Sequence, residues 1–368
     1  MNGDSTPSAV GRKPMHRFWR TALGFWKGER CWLPWALFGL LVVCVVTQLL
    51  VQYRLNLWNR DFFNALERRD GRDIVSQTWL LLALAAASIL LASTAVWGRM
   101  TFQRCWRDWL TGRLLDLWLA HDNYRLLDGG PGEPQLAEYR IAEDARIATD
   151  APIDLVVGLL SSILTAATFV AVLWNVGGSL HFHLLGTAAE LPGYLVFASI
   201  AYAVMTTGAM ILVGGDMAHV IERKNQAESE LKFAVTRLRT GIPLALAGPA
   251  AHPGAPAAFA VAEVMRTWKR LAGQHVRTTL VSHGNTLLAP LIGLILCVPQ
   301  YIQETMSLGE VTQAAAAFAA VQGAFNWLVD NYPRLAEWAS SASRVGVLLL
   351  GIDRLEARRP PSEPPSPT

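Results

Sequence analysis

The sequence predicts an all-α, polytopic membrane protein with six membrane-spanning helices. Of its 368 residues, 52% are hydrophobic and only 17% are charged, a balance unlike that of a soluble globular domain. The apolar residues are gathered into six long runs without Asp, Glu, Lys or Arg. Because a helix rises about 1.5 Å per residue, roughly 20 such residues cross a hydrocarbon core of about 30 Å.

Each uncharged run has the length that a membrane-spanning helix needs. The first contains 23 residues between Arg30 and Arg54. The other five cover residues 74–98, 155–189, 191–215, 278–303 and 311–329. Six spans follow from these six runs.

The third run is longer than one span requires, and its glycines indicate where the helix stops. Gly177 and Gly178 predict that the helix ends near Trp174. A loop over residues 179–190 then leads to the fourth span, which is predicted to begin around Pro192.

Basic residues are distributed unevenly among the connections, and this predicts the topology. Six Lys and Arg residues precede the first run, seven lie between the second and third runs, and nine lie between the fourth and fifth, whereas residues 175–190 and 304–310 contain none. Both termini and the two long connections are therefore predicted to be cytoplasmic. Residues 54–73 balance five Arg with four carboxylates, and we expect them to extend the first span outward as a helix.

The remaining composition excludes several classes of protein. The net charge is only +3, so no overall basic field indicates a nucleic-acid partner. The four cysteines lack the spacing of a metal or disulfide site, and the first run lacks a following cleavage site, which predicts a retained signal anchor.

The predicted domain organisation has three parts. Residues 1–30 are expected to form a cytoplasmic tail, residues 31–345 a six-helix membrane domain, and residues 346–368 a short second tail. The end of this second tail is rich in Pro and Ser, so it is expected to be disordered.

The two long connections predict helical arms that extend the spans. In the first, polar and apolar residues alternate at helical spacing, and the Gly- and Pro-rich residues 128–134 break the helix before another begins near Gln135. In the second, the charged residues 222–239 predict a helix, residues 240–257 a loop, and a further helix begins at about Ala258.

Several short segments, in their order along the chain, carry a resemblance to a known family. They are NLWNRDFFNAL (56–66), RIAED (140–144), LPGY (191–194), KNQ (224–226), GEVTQ (309–313), GAFNWLV (323–329) and LAEW (335–338). Together they resemble the SbmA/BacA-like peptide-uptake transporters, which are related to the transmembrane domain of exporter-type ABC transporters. The resemblance runs from about Gln48 to Arg344.

This resemblance implies a homodimer in the bacterial inner membrane, in contact with membrane lipid. The dimer would move peptides or other bulky amphiphilic compounds inward by exposing a central cavity to each side in turn. A single six-span chain encloses no such cavity in this architecture. The resemblance implies no cofactor, and no sequence pattern indicates a catalytic or metal site, so a transporter is expected rather than an enzyme.

The energy source distinguishes the branches of this family. ATPase-fused members carry a nucleotide-binding domain after the sixth span, whereas the others are expected to use the proton gradient. None of the five lysines lies in a G-x-x-x-x-G-K-[ST] loop, and fewer than 40 residues follow the sixth run, which favours proton-driven uptake. Two alternatives remain open: a permease subunit served by a separate ATPase subunit, and an inactive membrane scaffold.

Proton-driven transport needs ionisable groups that are partly buried near the membrane. By the resemblance, acidic residues of the arms are the candidates, and in a dimer these arms would line the inner mouth of the cavity. They are Glu143, Asp144, Glu222, Glu228 and Glu230. The alternative is that they are solvated and paired with Arg140, Arg146, Arg223 and Lys224.

Three further candidates lie near the last two spans. Asp330 and Glu337 follow the sixth run, and Asp330 is spaced to form a local ion pair with Arg334, although a role in the cavity is also open. His283 is the one histidine of the fifth run. It suits proton exchange, but a hydrogen-bonded histidine near the end of the span is the competing interpretation.

Two smaller groups complete the candidates. Arg60 and Asp61 are expected to form a structural pair at the outer end of the first span, where Trp58 and Phe62 suit either the dimer face or the aromatic belt. The histidines of the sequence H-x-H at 181–183 lack a third ligand at suitable spacing, so no metal site is expected there.

Overall fold

A computed structural model describes residues 7–28, 32–126, 137–184, 187–240 and 255–357. Within these ranges the chain is helical apart from short turns and one β-hairpin. The α-helices are α1 (Pro7–Ala22), α2 (Gly24–Lys27), α3 (Trp32–Glu67), α4 (Gly71–Leu119), α5 (Asn123–Leu126), α6 (Ala137–Tyr139), α7 (Ala145–Gly177), α8 (Tyr194–Gly214), α9 (Met217–Thr240), α10 (Ala255–Ile302) and α11 (Leu308–Ala357). A π-helical turn, Arg140–Asp144, joins α6 to α7.

Five stretches of the described chain are long and apolar enough to cross a membrane. They are Trp32–Glu67, Gly71–Asp122, Ala137–Gly177, Tyr194–Thr236 and Ala257–Ile302. They confirm a polytopic α-helical membrane protein with long helical arms. The sixth predicted span lies within α11, where Gln313, Gln322 and Asn326 interrupt an alanine-rich run and lower its hydropathy. The number six therefore stays a prediction.

The first two long helices show how local sequence sets their ends. Helix α3 continues past Arg54 as far as Glu67, which confirms the helical extension predicted for the first span. The Asp70 carboxylate accepts hydrogen bonds from the backbone N–H groups of Arg72 and Asp73, at 3.0 and 3.3 Å, and so caps the start of α4.

A β-hairpin stands where a loop was expected, so that prediction was wrong. Strand β1 (Ser179–Leu184) pairs antiparallel with β2 (Thr187–Pro192), with Ser179 opposite Pro192 and Leu184 opposite Thr187. The sequence of β1, SLHFHL, alternates apolar residues with polar ones, a period-two pattern typical of a strand. The predicted helix end is confirmed, because α7 stops at Gly177 and Gly178 has a φ of +56°.

The chain divides into two compact units, Met1–Thr168 with Asp330–Thr368, and Phe169–Val329. In the first unit, Phe18, Ala22 and Phe25 form one buried stripe of α1 and α2. They pack into a hydrophobic core with side chains of α3, α4, α7 and α11, among them Leu41, Phe102, Leu110, Leu114, Ile153, Leu349 and Ile352. The boundaries at residues 30 and 345 stay predictions.

In the second unit, polar side chains within the apolar helices bond to backbone carbonyls of neighbouring helices. Tyr194 donates its hydroxyl to the Leu296 carbonyl at 2.8 Å, and the Gln322 amide donates to the Ser199 carbonyl at 2.8 Å. In an apolar medium such donors need protein partners, because water is absent. These bonds join α8 to α10 and to α11.

The expectations for residues 128–134, 241–254 and 358–368 fall outside the described residues.

The turn between β2 and α8 requires glycine at position 193. Gly193 has a φ of +63°, and a Cβ there would lie 2.5 Å from Cε3 of Trp174. We expect Gly193→Ala to lower the free energy of unfolding by about 1–3 kcal/mol, since it adds both backbone strain and a clash. Thermal unfolding in detergent measures this. Gly208→Ala is the matched control, because a Cβ at Gly208 meets nothing within 4 Å; equal melting points for both variants would contradict the prediction.

Candidate functional site

The ends of three uncharged runs meet in the first unit, and charged residues cluster there. Arg99 follows the apolar run of α4, Asp154 precedes that of α7, and Arg334 follows the run within α11. Because the membrane interior excludes charge, each helix carries its first ionisable residues at this boundary. We name Arg99, Gln103, Asp154 and Arg334 the Asp154 network.

Asp154 is the acceptor at the centre of the Asp154 network. Its side chain is only 12% exposed. Arg99 Nε lies 3.3 Å from Oδ1 of Asp154, the Gln103 amide donates to the same oxygen at 3.0 Å, and Arg334 donates to Oδ2. One carboxylate therefore ties α7 to both α4 and α11. Charge-assisted bonds of this kind are stronger than neutral ones.

A second group of charges lies further along the same arm of α7. Arg146 donates to Glu143 at 2.6 Å and lies 3.6 Å from an oxygen of Asp150. Gln103 also donates to the Asp150 backbone carbonyl at 2.8 Å. Residues 146, 150 and 154 lie at i, i+4 spacing, which places them on one face of α7.

An ion pair between a buried carboxylate and a partly exposed guanidinium joins the π-helical turn to α11, and we name it the Asp144 pair. The Asp144 side chain is 1% exposed, and Arg344 donates to its oxygens at 2.6 and 2.9 Å. Arg344 also donates to the hydroxyls of Ser340 and Ser341, at 2.7 and 2.8 Å. The hydrogen bonds that Arg344 donates to Asp144 raise the pKa of Arg344, so this guanidinium stays charged. Removing one partner of such an ion pair is costly, because the remaining charge loses its counter-charge.

The structure assigns different surroundings to the predicted carboxylates of the first unit. Glu143 pairs with Arg146, as the solvated interpretation expects. Asp144 instead pairs with Arg344, which is distant in sequence. Glu337 is exposed, yet its charge acts on both Arg146 and Arg344, so Glu143, Asp144 and Glu337 belong to one neighbourhood.

The expected ion pair between Asp330 and Arg334 was wrong. Arg334 bonds to Asp154 instead, and Asp330 is exposed on α11. The Asp154 carboxylate is mostly buried and collects three donors, so it offers Arg334 a better-defined partner than an exposed residue one turn away.

The second unit holds the remaining predicted residues. Glu228 lies 3.7 Å from the Lys224 ammonium and accepts a hydrogen bond from the Trp268 indole at 3.1 Å, while the ammonium lies 5.1 Å from the ring centroid of Trp268. These contacts fasten α9 to α10. Glu222 and Glu230 are exposed on α9.

His283 differs from its expected environment. It is exposed on α10, and the hydrogen bonds found in the described part of the chain do not include one from its side chain, so the expected bond was wrong. The side chains of His181 and His183 lie outside the part of the hairpin that the structure describes.

At the far end of α3 the expected local pair is confirmed. Arg60 donates to Asp61 at 3.0 Å, and Arg54 also reaches Asp61 at 3.5 Å. Trp58 stacks on Phe62 with ring centroids 4.9 Å apart and donates its indole N–H to the Gln77 carbonyl at 2.7 Å. These aromatic residues thus help to hold α3 against α4.

Sequence reasoning missed Asp150, Asp154 and Arg99 as members of a site. A signal was present, because Arg146, Asp150 and Asp154 repeat every four residues just before an apolar run. Gln103 on α4 and Arg334 on α11 carried no such signal, since they lie 51 and 180 residues from Asp154 along the chain.

The Asp154 network couples the charge of one carboxylate to the contacts of three helices. Asp154 accepts hydrogen bonds from Gln103 and Arg334 and forms an ion pair with Arg99. Loss of this charge would weaken both ion pairs. The contacts of α7 with α4 and α11 would then loosen together.

Helices of this length and hydropathy, with charged arms at their ends, define a multi-pass α-helical membrane protein. The family model for ABC transporter transmembrane region 2 matches residues 28–241. The chain belongs to this family, whose members include the SbmA/BacA-like transporters that its motifs resemble.

Several curated relatives support this assignment. The chain is similar to the inner membrane ABC transporter ATP-binding protein YddA of Escherichia coli, with 24% identity over 88% of this chain and 58% of that protein. It is also similar to uncharacterised ABC transporter ATP-binding proteins of Synechocystis (22% identity, 87% of this chain and 47% of the relative) and Haemophilus influenzae (21%, 86% and 54%). The chain spans about half the length of the curated relatives it matches.

The Asp144 pair gives a direct test of how the arm is held to α11. We expect Asp144→Asn to destabilise the protein by about 1–3 kcal/mol, because it removes the counter-charge of Arg344, whose partial exposure to solvent limits the loss. Unfolding in detergent measures this loss, and Asp108→Asn, at an exposed carboxylate of α4, is the control. In a double-mutant cycle with Arg344→Gln, the two losses should be strongly non-additive; additive losses would rule out the coupling.

Proposed function

We propose that the chain forms a homodimer in the bacterial inner membrane that takes up peptides or other bulky amphiphilic compounds by proton-driven transport. The observation that carries this proposal is the Asp154 network. One nearly buried carboxylate, at the boundary of an apolar run, ties three membrane helices together. A loss of that charge would therefore have a mechanical consequence for the helices.

The direction of the effect follows from electrostatics. Ionised Asp154 attracts Arg99 and Arg334, and this attraction favours the conformation in which α4, α7 and α11 are held together. Without its charge, Asp154 would attract them far less, which favours a conformation in which α7 separates from its neighbours. Alternation between two such conformations as protons load and release is what proton-coupled transport requires.

Other carboxylates of the arms contribute to the proposal in distinct ways. Asp150, Glu143 and Glu337 lie close to Arg146, and they supply further acidic groups near Asp154. Glu228, Glu222, Glu230, Asp330 and His283 remain candidates for cavity or coupling roles. Asp144 is assigned to holding the π-helical turn to α11, because its carboxylate is fully bonded and buried.

A homodimer is supported by the exposure of apolar side chains along the second long helix. Its most apolar stretch contributes no buried residues within the single chain. Trp79, Leu82, Ile89 and Leu90 are all more than half exposed. Lipid or a second copy must cover such a surface, and a cavity wide enough for a bulky solute needs more helices than one chain offers.

A second candidate is ATP-driven transport, in which this chain supplies the transmembrane region. The names of the relatives in Escherichia coli, Synechocystis and Haemophilus influenzae all describe ATP-binding proteins. In this case the arms, including the α9–α10 contact of Glu228 with Trp268, would meet an ATPase. The two candidates make opposite predictions about the energy source.

Transport by the purified protein in liposomes separates these candidates. We expect uptake of a fluorescent proline-rich peptide to follow an imposed pH gradient and to collapse with a protonophore. Asp154→Asn should abolish the response to the gradient, because it removes the charge that holds the three helices together. Asp108→Asn, which alters an exposed arm carboxylate, should transport like the unmodified protein.

Two outcomes would contradict the proposal. Uptake that ignores the pH gradient but requires ATP and an added ATPase would favour the second candidate. Retention of gradient dependence by a folded Asp154→Asn variant would exclude Asp154 as the coupling group. Each variant is first compared with the unmodified protein in size-exclusion chromatography, so that loss of fold is not mistaken for loss of coupling.

The proposed homodimer predicts the mass of the assembly in a membrane. Native mass spectrometry from lipid-containing nanodiscs should give a protein mass twice that of the 40.3 kDa chain. Substituting Leu82 and Ile89, two exposed apolar residues of α4, tests whether α4 lies at the interface. A purely monomeric mass at membrane-like protein densities would exclude the homodimer.

A further inference from the structure

The first two helices carry an unusual distribution of charge. Residues 7–28 contain five Lys and Arg and no Asp or Glu. The buried stripe of Phe18, Ala22 and Phe25 fixes this segment to the first unit. The opposite side of the segment is therefore held in place. The described residues leave most of it exposed, although Trp19 packs edge-to-face on Trp338, with ring centroids 6.0 Å apart.

That uncovered side combines basic and apolar residues at helical spacing. Arg20, Leu23 and Lys27 follow one another at i, i+3 and i+7, and all are exposed. Trp19 beside them is 39% exposed. We name Trp19, Arg20, Leu23 and Lys27 the basic stripe.

The cations of the basic stripe have no acidic partner among the residues that the structure describes. Arg17 on the same helix forms a two-bonded ion pair with Asp353, at 2.6 and 2.8 Å. Arg20 and Lys27, by contrast, form no ion pair within the described residues. Their charges are free to meet an anion from outside the chain.

The position of the basic stripe relative to the membrane follows from chain connectivity. Helix α2 ends at Lys27 and the first apolar helix begins at Trp32, so the two ends are separated by no more than about 19 Å of extended chain. Trp26 of α2 also packs edge-to-face on Trp35, with ring centroids 5.0 Å apart. Trp32 and Trp35 are 69% and 60% exposed, as expected for tryptophans at the level of lipid headgroups.

We infer that the basic stripe is a binding surface for acidic phospholipid. Arg20 and Lys27 contact the anionic headgroups, while Leu23 and Trp19 enter the boundary between headgroups and acyl chains. An amphipathic helix with a basic polar face lies in a membrane interface in this way, and anionic lipid strengthens its binding. The stripe differs from ordinary interfacial helices in being pre-ordered by the core, so binding does not require the helix to fold.

The test measures lipid retention by the full-length protein. Native mass spectrometry compares phosphatidylglycerol with phosphatidylcholine of identical acyl chains, and a second series adds free glycerol 3-phosphate. We expect the unmodified protein to prefer phosphatidylglycerol. Arg20→Gln with Lys27→Gln should reduce that preference by roughly fivefold for each removed charge.

The matched control is Lys232→Gln with Lys269→Gln, which removes two exposed charges from the arms α9 and α10. It should keep the preference for phosphatidylglycerol. Equal retention of the two lipids by the unmodified protein would overturn the inference, and so would an equal loss in the control. Competition by glycerol 3-phosphate at comparable concentration would also overturn it, since it would indicate a site for free anions. Because each comparison is made between two lipids on one variant, a change in overall stability does not affect the result.

Discussion

The low polarity of the membrane interior excludes formal charge from the long apolar runs, and the arrangement of ion pairs follows from that exclusion. Each long helix places its ionisable residues at the ends of its run. Antiparallel neighbours then bring those ends to the same level, and their charges meet. Arg99, Asp154 and Arg334 meet in this way, although they come from three different helices. The charges that the spans cannot carry thus fasten the spans to one another.

Inside the runs the same constraint acts on neutral polar groups. Tyr194, Gln300 and Gln322 each donate to a backbone carbonyl. A carbonyl at a helix end or with a spare lone pair is always available, whereas a second polar side chain would have to be placed at the right depth. The second unit is therefore held by bonds that depend little on exact partners. The first unit depends on specific ion pairs, which makes its contacts more sensitive to the protonation of single residues.

Much of the fold was predictable from sequence because it rests on local properties. Runs without charge predicted the long helices, and Gly177 with Gly178 predicted the end of α7. The hairpin was also encoded locally, in the alternation of SLHFHL. This pattern covers only six residues directly after a long apolar run, so it is a weak signal for a strand. The candidate site was far less predictable. Asp330 and Arg334 have ideal spacing for a helical pair, yet Arg334 bonds to Asp154, which lies 180 residues away in the sequence. Likewise, Asp144 pairs with Arg344, 200 residues away.

The ion pair of Arg17 with Asp353 joins positions separated by 336 residues, and this has a consequence for biosynthesis. Helix α1 leaves the ribosome well before its partner on α11 is made, because 336 residues separate the two. At about 5–20 residues per second, that interval is on the order of half a minute. Throughout this time the apolar stripe of Phe18, Ala22 and Phe25 lacks the α11 part of its core. A nascent chain of this kind needs something else to shield the stripe, and the membrane surface beside the translocon is the nearest apolar phase.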